Sequence, residues 1–166
     1  EASAAAEAQA LADVLAASRA QAQARLDRVL ELFRARIRPV EADGNCQFRA
    51  LSLQLYGDQA HHVALRGRVV QQLQAQRAWY EPYVQGSFDE YVERMRLDGE
   101  WGDNLTLQAA SDLLGCSINV LTDVPGAECV EIHPAGAAGR PSAGPPLCLT
   151  FVTEVHYDAA RVDDGD

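Results

Sequence analysis

EADGNCQFRALSLQLYG, residues 41–57, sets the three turn-forming residues Asp43, Gly44 and Asn45 directly before Cys46 and an apolar pattern of helical period. Phe48, Leu51 and Leu55 fall on one stripe and Gly57 stands where a helix would stop, so the spacing predicts a helix over 47–56. A thiol at such a junction meets the positive end of a helix dipole and unpaired N–H groups, which favour the thiolate. Of the four cysteines, Cys46, Cys116, Cys129 and Cys148, only Cys46 has that setting predicted. Backbone N–H groups around Asp43, Gly44, Asn45 and Cys46 can also turn into one concavity and stabilise an oxyanion. Gly44 would permit the required dihedrals and close approach by a substrate. The same residues equally describe a buried cysteine after an ordinary turn.

A nucleophilic cysteine needs a base, and the base needs a group to orient it. His61 and His62 sit together at a helix start and read as surface or capping residues. His133 precedes Pro134 and has no acid placed to steer it. His156, in TEVHYDAA, lies on a predicted strand with Asp158 two positions on, and strand alternation puts both on one face. Cys46, His156 and Asp158 then form a thiol-protease constellation. An exposed-edge His–Asp pair is the alternative.

Outward from this stretch, residues 4–37 read as one long helix, with Leu11, Val14, Leu15, Leu26, Val29, Leu30, Phe33 and Ile37 on its stripe and Pro39 ending it. Further helices are expected over 61–78, from the Ser87 capping box to about 97, and from Asn104 or Thr106 to Gly115, with Asn104 the expected cap. Residues 116–122, 128–133, 147–152 and 155–162 read as short strands, joined over 134–146 by a flexible Gly/Pro-rich connection. Helices first and strands last predict an α+β fold, helices packed on a small, mostly antiparallel sheet. The expected division is an N-terminal helix over 1–36, a catalytic domain over 37–162 and an acidic tail over 163–166.

The formal charge is −10, and residues 41–166 hold eight Arg against nineteen acids, which argues against nucleic acid and for a neutral or basic protein partner. No lysine occurs, and no C-x-x-C, so neither a zinc site nor another cofactor is expected. No run of 18 apolar residues suggests a membrane span. The cysteine usage fits a reducing compartment, cytoplasmic or nuclear. Because the first residue is Glu, an upstream targeting signal would not be visible.

Three blocks carry a family resemblance. DGNCQFRALSLQLYGDQAHH (43–62), EWGDNLTLQAAS (100–111) and EVHYDAA (154–160) resemble, in order and spacing, the motifs of the ovarian-tumour (OTU) family of cysteine deubiquitinases, above all its plant-type members. The resemblance implies a papain-like OTU fold and hydrolysis of the isopeptide bond after the ubiquitin C-terminal Gly-Gly. Carried over, Cys46 is the nucleophile, His156 the base and then acid, Asp158 the orienting acid and Asp43 the residue that shapes the Cys loop. Gly44, Asn45, Trp101 and Tyr157 would line the substrate path. Trp101 could instead anchor its helix in the core, and Asp103 could serve either purpose. The implied partner is ubiquitin or polyubiquitin, met by a monomer. Competing readings are a protease for another ubiquitin-like modifier, a non-catalytic ubiquitin-binding module, and a redox-sensing thiol domain.

Overall fold

The computed structural model describes residues 2–135, 144–152 and 156–163. Most of the predicted connection over 134–146, the end of the acidic tail and residues 154–155 of the third block lie outside them.

Helix α1 (Ala2–Phe33) ends earlier than expected. Arg34 takes a left-handed conformation, φ 51°, and reverses the chain into β1 (Ala35–Arg38), so Pro39 does not terminate the helix. Ala35 and Ile37 belong to a strand whose alternation is too short to separate from the helical stripe before it. The remaining elements are α2 (Cys46–Tyr56), α3 (His62–Ala75), α4 (Arg77–Tyr80), a 3₁₀ turn (Glu81–Tyr83), α5 (Phe88–Met95), α6 (Asn104–Leu114), β2 (Ile118–Thr122), β3 (Cys129–Ile132), β4 (Leu147–Val152) and β5 (His156–Val162). The single helix expected over 61–78 is thus broken at Gln76. Gly57 and Gly115 both cap helices with positive φ, as their positions in the sequence required.

The strands form one sheet in the order β1-β5-β4-β2-β3. Among the described residues only β2 and β4 pair in parallel, and the other three pairings are antiparallel. Alternation along the strands sends Ile118, Val120, Leu149, Tyr157 and Ala159 to one face and Leu121, Cys148 and Ala160 to the other. The first face carries the main core, where Phe48 and Leu51 of α2, Leu65, Val69 and Leu73 of α3, and Leu107 of α6 are buried. The second is covered by the last turns of α1 through Leu26 and Val29. Each such leucine, wholly withdrawn from water, contributes roughly 1.5–3 kcal/mol. Leu11, Val14 and Leu15, on the expected stripe, are exposed, so only the C-terminal third of α1 packs.

Two consequences position the site. Helix α2 lies on β5 and β4 with its N-terminus toward the start of β5. The β1–β5 register stops at Arg38 opposite Ala159, which leaves His156, Tyr157 and Asp158 beyond the end of β1.

Candidate active site

Cys46 is the first residue of α2 and is 1% exposed. The N–H of Tyr157 donates to its Sγ at 3.5 Å across the open side of β5. His156 and Asp158 share a face of that strand, and His156 Nε2 donates to Asp158 Oδ1 at 2.8 Å. The same carboxylate oxygen accepts the N–H of Val40 at 2.9 Å. Asp158 is therefore held from the segment leading into the Cys loop, and Nδ1 is the imidazole nitrogen left over. The structure brings Cys46, His156 and Asp158 into one neighbourhood from residues 110 and more apart in sequence.

Burial pushes the Cys46 thiol above its ordinary pKa, opposed by the N–H groups of Tyr157 and Gln47. The helix N-terminus therefore does not by itself produce the depressed pKa expected from sequence, because desolvation outweighs it. The loop donors differ from expectation as well. Asp43 N–H donates to Glu41 O at 3.1 Å, Asn45 N–H to Asp43 Oδ1 at 2.9 Å and Cys46 N–H to Asp43 O at 3.2 Å. Three of the four N–H groups proposed for an oxyanion are engaged inside the turn in this conformation.

Asp43 organises that turn. Arg49 grips its carboxylate from Nε and Nη2 at 2.9–3.1 Å, and this guanidinium is the main cause of its lowered pKa. Gly44 is confined for a reason the sequence did not disclose. Its φ is not positive; a Cβ there would lie 1.7 Å from the carbonyl oxygen of Gly99. The close approach is to the protein's own backbone rather than to a substrate. Asn45 is buried and both ends of its amide are engaged: Oδ1 accepts from Gly99 N–H at 2.9 Å and Nδ2 donates to Asp98 at 3.1 Å. It is placed to hold the loop, not to greet a ligand. The Tyr157 ring is buried, stacked on Phe151 with centroids 4.3 Å apart, and its backbone N–H is the group that donates to Cys46.

The second block docks on α2 through a residue the sequence reading passed over. Gln47, buried in the first turn, donates to Asp103 O at 3.1 Å and accepts from Thr106 Oγ1 at 2.7 Å. A Cβ on Gly102 would strike that amide. Asp103, not Asn104, caps α6, in a full capping box with Thr106, and also accepts from Tyr91 Oη at 3.0 Å. A polar residue directly after the cysteine on the predicted helix was the available signal for Gln47. Trp101 is 45% exposed, so it does not anchor α6 in the core. A groove of about 1150 Å³ lies between α4, α5 and α6, but the residues that line it, Trp79, Tyr83 and Leu105 among them, do not include Cys46, His156 or Asp158.

Residues 41–160 match the family model for OTU-like cysteine protease. An Arabidopsis thaliana protein, OVARIAN TUMOR DOMAIN-containing deubiquitinating enzyme 9, is 42% identical over 135 residues, 81% of this chain and 38% of its own length. The chain spans 37–53% of the lengths of four such Arabidopsis relatives. The OTUD1 OTU domain superposes with a TM-score of 0.69 at 25% identity, covering 82% of this chain and 92% of that one. An ovarian-tumour domain solved in complex with ubiquitin superposes at 0.63 and 17% identity, over 80% of this chain and 72% of that one.

Proposed function

Since this chain belongs to the OTU-like cysteine protease family, we propose that it is a thiol isopeptidase that cleaves after the C-terminal Gly-Gly of ubiquitin. The observation that carries the reading is the His156–Asp158 hydrogen bond on the strand whose next residue, Tyr157, touches the Cys46 sulfur. The names of the relatives and the ubiquitin complex of a structural neighbour support the substrate.

Asp158 accepts a hydrogen bond from Nε2–H and so fixes the neutral imidazole with its lone pair on Nδ1. That nitrogen removes the Cys46 proton as sulfur attacks the terminal glycine carbonyl, which suits a thiol whose burial disfavours a standing thiolate. The C–N bond of the tetrahedral intermediate breaks as the imidazolium protonates the departing lysine amine, leaving a thioester. Water deprotonated by His156 then hydrolyses it and restores the thiol. Asp43 and Arg49 keep the turn that faces the oxyanion in shape. Trp101, half-exposed and two residues beyond the Gly99 that meets Gly44, is the side chain assigned in this reading to the tail of the modifier. The four free thiols suit a reducing compartment.

The test is incubation with ubiquitin carrying a cysteine-reactive C-terminal electrophile, beside Cys46→Ala and His156→Ala, read by intact mass. One adduct, absent in Cys46→Ala and slowed in His156→Ala, is expected. Labelling by another ubiquitin-like electrophile in place of ubiquitin would overturn the substrate, and labelling that survives Cys46→Ala would overturn the site.

A further inference from the structure

Arg66 lies on α3, and its side chain is buried to 4% exposure. Its two Nη groups are answered by backbone and side-chain oxygens, while Nε is buried without a hydrogen-bond partner. Its guanidinium carbon sits 4.3 Å from the centre of the Phe48 ring. Nη1 donates to Met95 O at 3.0 Å. Nη2 donates to Asn45 Oδ1 at 2.8 Å, to Glu100 O at 2.7 Å and, at 3.4 Å, to Gly44 O. Two of these acceptors belong to the turn before Cys46, and the others to the segment that runs from α5 to Trp101. Asn45 extends the bridge, because the oxygen that receives Arg66 also receives Gly99 N–H. Burial lowers the Arg66 pKa, and the nearby carboxylates of Asp98 and Glu100 offset part of that effect.

We infer that Arg66 is a positioning residue which ties the Cys loop to the 95–100 segment and so sets the position of the loop beside the reacting carbonyl. The inference rests on the reading that Cys46 carries out acyl transfer. The planar fork is essential to it, since Gly44 O, Asn45 Oδ1 and Glu100 O converge on one nitrogen while Met95 O takes the other. A lysine ammonium is a single point with three donors and cannot span both sets or lie flat on Phe48. Although the Cys46 N–H itself donates to Asp43 O within the turn, the Cys46 sulfur has a hold outside that network in Tyr157 N–H. Weakening Arg66 should therefore disturb oxyanion chemistry without moving the sulfur.

That separation is measurable in the full chain with Arg66→Lys and, should that variant fold poorly, Asn45→Ala, which leaves Arg66 in place and removes its side-chain acceptor. Three readouts are compared with wild type: amide hydrogen exchange by peptide, steady-state hydrolysis of a fluorogenic ubiquitin C-terminal amide, and alkylation of Cys46 by iodoacetamide, which forms no oxyanion at a backbone site. The expected result is exchange at least ~10-fold faster over residues 41–47 and 96–100 with β4 and β5 unchanged. With it, kcat falls about 10-fold or more, KM stays within about 3-fold, and alkylation stays within about 3-fold. Wild-type exchange and kcat in a folded Arg66→Lys would overturn the inference, as would a loss of protection spread evenly through the sheet. A wild-type protein inert toward ubiquitin, with loop exchange still raised in the variant, would overturn the proposed substrate and leave the tie standing.

Discussion

Adding one methyl group at residue 44 gives the sharpest test of how the site is built. In Gly44→Ala the new Cβ would lie 1.7 Å from Gly99 O, 2.4 Å from its carbonyl carbon and 2.8 Å from its Cα, all backbone atoms with no rotamer to escape by. Contacts under 3.0 Å essentially do not occur at real Cβ atoms, so the two segments have to part by more than about 1 Å. Overpacking of this kind costs roughly 1–3 kcal/mol of stability. A shift of about 1 Å in the groups that meet the reacting carbonyl costs roughly 100-fold in rate. Gly57→Ala supplies the comparison: φ is 79° there, nothing lies within 4 Å, and the left-handed backbone alone should cost about 1–2 kcal/mol with hydrolysis within about 2-fold. Urea unfolding and kcat/KM on a fluorogenic ubiquitin amide measure both quantities. If Gly44→Ala matched Gly57→Ala in activity, the claim that the Gly44–Gly99 contact sets the geometry would be refuted.

Because Asp158 Oδ1 serves both Val40 N–H and His156 Nε2, Asp158→Asn can keep both bonds and should retain kcat within about 10-fold, whereas Asp158→Ala should lose about 100-fold or more; equal losses would argue that charge rather than orientation matters. Burial, helped by nearby Arg49, lowers the pKa of His62 below 6.5, and its Nδ1 is buried without a partner. The folded protein therefore binds fewer protons there than the unfolded chain, so this contribution is present above about pH 6.5 and is lost as pH falls toward the depressed folded value. His62→Gln should accordingly flatten the fall in urea midpoint between pH 7.5 and 5.5, and an unchanged slope would discount His62. Trp101→Ala should raise KM for ubiquitin several-fold while moving the thermal midpoint little, since the indole is 45% exposed; a large drop in the midpoint instead would return Trp101 to a structural role.

The sequence was readable wherever one local rule governed. Helix α2 with its Gly57 stop, α5 behind Ser87, and β4 over 147–152 follow from period and capping alone. The pairing of His156 with Asp158 followed from strand alternation. What escaped was decided by partners distant in the chain. β1 exists because β5 offers it a ladder, and four residues with two modest apolar side chains announce no strand by themselves. Asn45 resembled a ligand-facing turn residue until Gly99, Asp98 and Arg66 were seen to use its amide. Arg66 sits between Leu65 and Val69 on an inward stripe, a charge on an apolar face that periodicity reads as surface. Cys46 illustrates competition: a dipole is visible in sequence, whereas the desolvation that outweighs it depends on what packs above the sulfur.

The way β1 joins the sheet governs how this protein can be trimmed. The family match begins at residue 41, yet β1 shields the outer side of β5 from Ala159 to Val162, and Val40 N–H helps orient Asp158. A fragment cut at residue 41 would turn the strand that carries His156 into a sheet edge with open backbone donors and acceptors, and would also uncover Leu121, Cys148 and Ala160 beneath α1. Such an edge recruits other chains. Poor solubility or sluggish activity in a fragment of that kind would reflect self-association at the strand bearing the base, and the shortest sensible boundary lies ahead of Leu26.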